Sequence, residues 1–259
     1  MRIAIRKVIL EYQITPIFLL PAFNSDYICD VNEILDNPVY HALLSGDANK
    51  ALGSGPVKFF DPDVSPFVGF PEQYEEGFKD LHQLLTADRN ILYASRQEID
   101  LPGGWELIQF IRGSQFLYLS GKKFDNDFSD IIPLNSQHVD QMVNLAVLTK
   151  PGPFGKRTID FGHYHGIFNN DQLVAMTGRR LHVYDYTEVS AVCTHPDFLG
   201  RKYAQRLIQH QVNSILEEKK FPFLHVRSDN YRAIDLYERL GFVKNGNMNF
   251  YFFQRKDGK

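Results

Sequence analysis

Cysteine, net charge and long apolar runs are all scarce in this chain of 259 residues. Two cysteines, Cys29 and Cys193, are too few for a disulfide framework and favour a reducing cytoplasm. A formal net charge of −3 argues against a binder of nucleic acid or of anionic membranes. Glu11 and Pro16 interrupt the apolar residues of segment 1–20, which leaves no membrane span and no signal-peptide core. We therefore expect a soluble, cytoplasmic protein.

Two kinds of ligand site are also missing from the sequence. His163 and His165 have a spacing that suggests a metal, but no further cluster of Cys, His or carboxylate residues completes a zinc site. No Gly-x-x-x-x-Gly-Lys-Ser/Thr segment occurs, which excludes a P-loop nucleotide-binding protein. We predict no metal cofactor.

A strand that passes through a glycine turn into a long helix is present at residues 189–220. Small and β-branched residues up to Thr194 are typical of a buried strand, and apolar residues recur at helical spacing from Tyr203 onward. Gly200 lies where the backbone must turn sharply. The N–H groups of a first helical turn have no intrahelical acceptor and attract anions. Arg201 and Lys202 add positive charge, so the pattern predicts a phosphate-bearing ligand.

The second half of the chain predicts the element order β–α–(α)–β–β–β–α–β–α–β–β. A hairpin is expected around Asn169–Asp171, with strands at residues 165–168 and 173–181. Further strands are expected at 187–194 and 223–226, and a helix at 230–240. We also predict a tight turn at Asn245-Gly246 between two short strands.

The first half predicts a smaller mixed α/β domain, with helices at 31–44 and 74–85. Strands are expected at 90–94, 105–111 and 115–119. The polar segment 120–130 suggests a boundary between domains 1–125 and 126–259. The first domain is either a degenerate copy of the second or an unrelated cap over its groove.

The segment 230–242 carries the most specific motif in the sequence. It follows the pattern Asn-x-x-Ala-x-x-Leu-Tyr-x-x-x-Gly-Phe, with Asn230, Ala233, Leu236, Tyr237, Gly241 and Phe242. Together with the glycine turn, this segment resembles the GNAT superfamily of acyl-CoA-dependent N-acyltransferases, in a subgroup with a long N-terminal extension. The resemblance covers about residues 130–255. It implies the α/β (α+β) class, with a mixed central sheet flanked by helices.

The resemblance implies acetyl-CoA as co-substrate and an amine as acceptor. The implied cofactor-binding residues are Val192, Cys193, Thr194, Gly200, Arg201, Lys202, Tyr203, Ala204, Asn230 and Tyr237. Backbone groups of residues 192–194 would hold the acyl carbonyl, so Cys193 need not be a nucleophile. The phosphate loop departs from the usual Gln/Arg-x-x-Gly-x-Gly/Ala pattern, because only Gly200 matches and Lys202 replaces a small residue.

The implied catalytic residues are Tyr237 and Glu188. Tyr237 corresponds to the tyrosine that protonates the leaving thiolate, and Glu188 to a glutamate that accepts the amine proton; the other interpretation of Glu188 is a solvated carboxylate at a strand end. Arg179 and Arg180 are expected to face opposite ways. One of them could bind an acidic acceptor group; the other interpretation is a solvated charge on the strand.

Two functions from different classes remain open at this level. The first is an N-acetyltransferase that transfers the acetyl group of acetyl-CoA directly to a primary amine. The alternative is a non-catalytic module that senses acyl-CoA. Nothing in the sequence indicates an oligomer.

Overall fold

One mixed sheet organises residues 34–86 and 88–256, the part of the chain that the computed structural model describes. In chain order its strands are β1 (Lys58–Phe59), β2 (Phe67–Gly69), β3 (Asn90–Ser95), β4 (Trp105–Tyr118), β5 (Ile132–Pro133), β6 (His165–Asn169), β7 (Gln172–Val183), β8 (Tyr186–Thr194), β9 (Phe221–Arg227) and β10 (Phe242–Arg255). Their spatial order is β1-β2-β3-β10-β4-β9-β8-β7-β6-β5. The pairs β2–β3 and β8–β9 are parallel and the others antiparallel. Predictions for residues 1–33, including Cys29, lie outside the described residues.

Five helices of the described part pack against this sheet. They are α1 (Pro38–Leu44), α2 (Gly77–Leu84), α3 (Val139–Thr149), α4 (Tyr203–Glu217) and α5 (Tyr231–Arg239). The apolar stripe of α4 is buried through Leu207, Ile208, Val212 and Ile215, as its helical spacing predicts. None of these helices combines the length and apolar character that a membrane crossing requires. The mixed sheet with flanking helices is the predicted fold class.

Turn and capping residues explain where most helices and strands of the second half begin and end. The hairpin turns at Asn170, whose φ of 52° is a conformation that Asn tolerates. Asn135 accepts a hydrogen bond from the Gln137 N–H and forms a capping box ahead of α3. The two strands of the hairpin begin and end within a few residues of the predicted positions.

Two pairs of predicted strands are single long strands, so those predictions were wrong. β4 runs without interruption from Trp105 to Tyr118, because β10 pairs along its whole length. Asn245-Gly246 is a bulge within β10 and not a hairpin turn, since both sides of it pair with β4. Gly246 has a φ of 142°, and a Cβ there would meet the Arg96 guanidinium at 2.5 Å.

The predicted boundary at 125/126 falls in the irregular segment between β4 and β5. The sheet continues across it, because β10 lies between β3 and β4 and pairs with both. β4 also pairs with β9 on its other edge. Separate folding of the two parts stays a prediction, and the strand pairing argues against it.

Expression of residues 126–259 alone tests this pairing. The fragment lacks β4, so β9 and β10 would each expose an unpaired edge, and such edges promote aggregation. We expect an insoluble or molten fragment, measured by size-exclusion chromatography and near-UV circular dichroism with the full chain as control. A soluble fragment with a cooperative thermal transition would contradict the expectation.

Candidate active site

The two parallel strands β8 and β9 separate in the middle of the sheet. They are paired only at their starts, from Tyr186↔Phe221 to Glu188↔Phe223. β8 continues to Thr194 and β9 to Arg227 without further pairing to each other. Backbone polar groups along the facing edges beyond Glu188 therefore lack ladder partners and can bind a ligand.

β8 itself is irregular where the gap opens. Ala191 has a φ of 51°, and the register with β7 shifts between Met176 and Gly178. Val192 packs against the apolar cluster of α4 and α5, whereas Cys193 is buried and interacts with Thr149 of α3. The predicted residues Val192, Cys193 and Thr194 thus form one wall of the gap.

Cys193 is a buried thiol and not an activated nucleophile. Burial raises the pKa of Cys193 to about 12, and the hydrogen bond with Thr149 offsets only part of that effect. Because the thiolate is the reactive form, this thiol is inert near neutral pH. The result agrees with a main-chain role for residue 193.

The glycine turn leads directly into the N-terminus of α4. Gly200 has a φ of 81°, and nothing lies within 4 Å of the position that its Cβ would take. Lys202, the departure from the family pattern, adopts a left-handed φ of 61° as the residue before α4, and its side chain is exposed. Tyr203 and Ala204 form the first turn, while the Arg201 guanidinium lies 4.7 Å above the Phe198 ring. Among the described residues, the turn thus leaves open space beside Gly200, directly before the first turn of α4.

Tyr237 lies on α5 within the apolar cluster beside the gap. Its side chain is buried with Phe242 and Leu240, and Val192 packs against the same cluster. Burial, with a smaller effect of the nearby Cys193, raises the pKa of Tyr237 to about 12. The phenol therefore keeps its proton at neutral pH and can donate it. Asn230 accepts a hydrogen bond from the Ala233 N–H and caps α5.

Glu188 belongs to a row of hydrogen-bonded side chains, one on or directly after each of six neighbouring strands. The polar row consists of Arg96 after β3, Asn245 on β10, Gln115 on β4, His225 on β9, Glu188 on β8 and Arg180 on β7. Arg180 donates to both Glu188 oxygens, at 2.6 and 2.8 Å. His225 Nδ1 lies 2.8 Å from Glu188 Oε1.

The Gln115 amide fixes the proton positions in the polar row. Its oxygen accepts from Arg96 and Asn245, so its nitrogen donates to the Leu35 carbonyl and to His225 Nε2. His225 must then carry its proton on Nδ1 and donate it to Glu188. Burial lowers the pKa of His225 against the opposing effect of Glu188, which keeps the imidazole neutral.

The electrostatics of Glu188 differ from those of a solvated carboxylate. Burial alone would raise its pKa, but the charge and hydrogen bonds of Arg180 and the hydrogen bond from His225 hold the pKa far below its usual value. The interpretation as a strand-end carboxylate in solvent is therefore wrong. Among the described residues, Oε1 accepts from Arg180 and His225 and Oε2 accepts from Arg180 alone, so Oε2 retains a second lone pair as an acceptor site.

Arg179 and Arg180 face opposite sides of the sheet, as predicted, but neither is a solvated charge. Arg179 is completely buried and donates to Gln211 and Ser214 of α4 and to Glu218. Arg180 faces the other side, where its guanidinium also lies 4.8 Å above the Phe67 ring. The full burial of Arg179 and the partial burial of Arg180 were missed because strand alternation gives direction and not depth.

A cavity of about 530 Å³ opens on the Arg180 side of the sheet. It is lined by the end of α3, the loop at residues 150–154, the end of β9, and residues of β2, β3, β4 and β10. Arg180 and His225 form part of its wall. Its size suits a small organic acceptor.

The comparisons with known proteins agree with this geometry. A family model described as FR47-like protein matches residues 164–251. A structure from Novosphingobium aromaticivorans, of a protein assigned to the GNAT family of acetyltransferases, is 29% identical over 86% of this chain and 99% of its own, with a TM-score of 0.81. The chain is related to the GNAT acetyltransferases and has their fold.

More distant structures share the GNAT fold alone. A GCN5-related N-acetyltransferase from Kribbella flavida is 13% identical over 85% of this chain and 95% of its own, with a TM-score of 0.54. A Drosophila protein is 18% identical over 78% and 74% of the two chains, with a TM-score of 0.56. No curated protein matches the sequence at a significant level. The GNAT fold supports acyl transfer from an acyl-CoA.

Residues of this candidate site were missed in the sequence, among them His225 and Gln115. His225 stands in the apolar run Phe223-Leu224-His225-Val226, and a lone histidine in a buried strand is itself a signal that it needs polar partners. Gln115 is fully buried and offered no such signal, because its strand was expected to begin there.

Breaking the buried pair in the polar row has a predictable effect on stability. Glu188→Ala leaves the Arg180 charge buried without its partner, so we expect a loss of about 3–5 kcal/mol in the free energy of unfolding. Glu217→Ala is the matched control, because its pair with Lys123 is more than half exposed on both sides and contributes about 1 kcal/mol at most. Urea denaturation measures both, and equal losses would contradict the assignment.

Proposed function

We propose that the protein is an N-acetyltransferase that transfers the acetyl group of acetyl-CoA directly to a primary amine. The observation that carries the proposal is the gap between β8 and β9, with a protonated Tyr237 beside it and a cavity of acceptor size next to it. We also propose a cytoplasmic location, because the chain has few cysteines.

Acetyl-CoA binding in this proposal uses two sets of backbone groups. The pyrophosphate takes the free N–H groups from Gly200 to Ala204, with Arg201 and Lys202 as nearby positive charges. The pantetheine arm lies along the unpaired edge of β8, where an N–H between Val192 and Thr194 polarises the acetyl carbonyl. Asn230 stands next to this arm in addition to capping α5.

The reaction in this proposal balances without a covalent enzyme intermediate. The neutral amine attacks the thioester carbonyl, so a bond from nitrogen to carbon forms and the bond from carbon to sulfur breaks. The Tyr237 phenol donates its proton to the leaving thiolate. The proton lost by the amine nitrogen passes to a base, and the products are the amide and free coenzyme A.

Glu188 remains the proposed base, but its hydrogen bonds and its lowered pKa limit its basicity. Its Oε2 has an acceptor site that a proton or a bridging water can use. Its lowered pKa makes the carboxylate a weak base, so it relays a proton more readily than it removes one from a protonated amine. The acceptor therefore has to reach the site largely as the neutral amine.

The experiment for this proposal is a thiol-release assay on the full chain with acetyl-CoA and a panel of primary amines. We expect release of coenzyme A that depends on the amine, with the acetylated amine identified by mass spectrometry. Binding of acetyl-CoA with no turnover across a broad panel would contradict catalysis and support the sensor alternative.

Replacement of Tyr237 tests the general acid. Tyr237→Phe removes the donated proton and keeps the ring, so we expect kcat to fall on the order of 100-fold at saturating acetyl-CoA. Tyr231→Phe is the matched control, because that side chain is 77% exposed on the same helix. An unchanged kcat in Tyr237→Phe would show that the phenol is not the acid.

A further inference from the structure

The acceptor cavity has an apolar body. Four phenylalanine rings contribute to its wall, together with aliphatic side chains from β3, β4 and α3; the rings are those of Phe67, Phe154, Phe250 and Phe252. A wall of this composition stabilises an apolar or aromatic group through burial of its surface. It provides few polar contacts for a long, flexible polyamine.

The charges on the cavity wall are all positive in the described part of the chain. Lys150, Arg180 and Arg227 line the cavity, and no Asp or Glu is among its described lining residues. Arg227 is paired with Asp229 in solvent, and Glu188 lies behind Arg180. Because Arg180 and Arg227 are each paired with a carboxylate, the uncompensated positive charge of this wall among the described residues is that of Lys150, and it favours a carboxylate over an ammonium group.

One nitrogen of the Arg180 guanidinium is available to bind a ligand. Nε and Nη2 both donate to Glu188, while Nη1 has no hydrogen bond with any described residue. The guanidinium is held by Glu188 and by the Phe67 ring, so its free nitrogen has a fixed direction. A guanidinium with a free N–H at a cavity wall is suited to a carboxylate oxygen.

Arg180 also lies between the acceptor cavity and the gap. A second, narrow cavity shares Arg180, Pro153 and Phe154 with the first one and reaches Ser190 and Ala191 on β8. Those residues directly precede the segment 192–194 of the gap. A ligand bound to Arg180 is therefore close to the proposed position of the thioester.

We propose that the acceptor is an amine that carries a carboxylate on an apolar body, which is the chemistry of an apolar or aromatic α-amino acid. Arg180 Nη1 binds the carboxylate, and the phenylalanine rings contact the side chain. The positive wall also favours the neutral, nucleophilic form of the amine. This proposal rests on the proposed acetyltransferase function.

Matched acceptors test the proposal on the unmodified full chain. Thiol release is compared for phenylalanine against phenethylamine, for leucine against isoamylamine, and for spermidine. We expect kcat/KM to be at least about tenfold higher for each amino acid than for its decarboxylated partner, since a hydrogen bond to a charged group contributes about ten- to hundredfold. Equal or better turnover of the decarboxylated amines or of spermidine would overturn the acceptor class and leave the acetyltransferase function standing.

Two arginine variants assign the preference to one side chain. Arg180→Lys keeps a positive charge next to Glu188 but loses the guanidinium fork, so the ratio of kcat/KM between amino acid and amine should fall towards one, mainly through KM of the amino acid. Arg179→Lys is the control, because Arg179 faces α4 and should leave the ratio unchanged. An unchanged ratio in Arg180→Lys would overturn its role. If none of the amines supports thiol release, the result would instead contradict the proposed function itself.

Discussion

The buried ion pair between Arg180 and Glu188 sets the layout of the site. It joins β7 to β8 at the last position where β8 still pairs with β9, and His225 connects it to β9. Neither charge can lose its partner without a large desolvation penalty, so this part of the sheet is held in one arrangement. Immediately beyond the pair the two parallel strands separate. The gap thus begins at a fixed point of the fold.

The two faces of the sheet differ in chemistry on either side of the Arg180–Glu188 pair. On the side of α4, Arg179 is used for packing, and the apolar cluster that includes Tyr237 lies against α4 and α5. On the other side, Arg180 and His225 line a cavity of acceptor size. The polar row satisfies every hydrogen-bonding group of Gln115 and fixes His225 as a neutral imidazole. The geometry of the candidate site therefore depends on side chains from six strand positions.

The sequence predicted the local features better than the long-range ones. Gly200, Asn230 and the motif around Tyr237 are signals contained within a few residues, and each lies where the pattern predicted. The continuity of β4 and β10 could not be read from either segment, because it depends on their pairing with each other. The polar row could not be predicted for the same reason. Arg96, Gln115, Glu188 and His225 are far apart in the chain and meet only through the strand order.

A crystal structure of the full chain with coenzyme A tests the central claim most directly. We expect the pyrophosphate at the N–H groups of residues 200–204 and the thiol in the gap between β8 and β9. The sulfur should lie within hydrogen-bonding distance of the Tyr237 phenol, with the acceptor cavity still open beside Arg180. Coenzyme A bound elsewhere, or a thiol outside the gap and away from Tyr237, would contradict it.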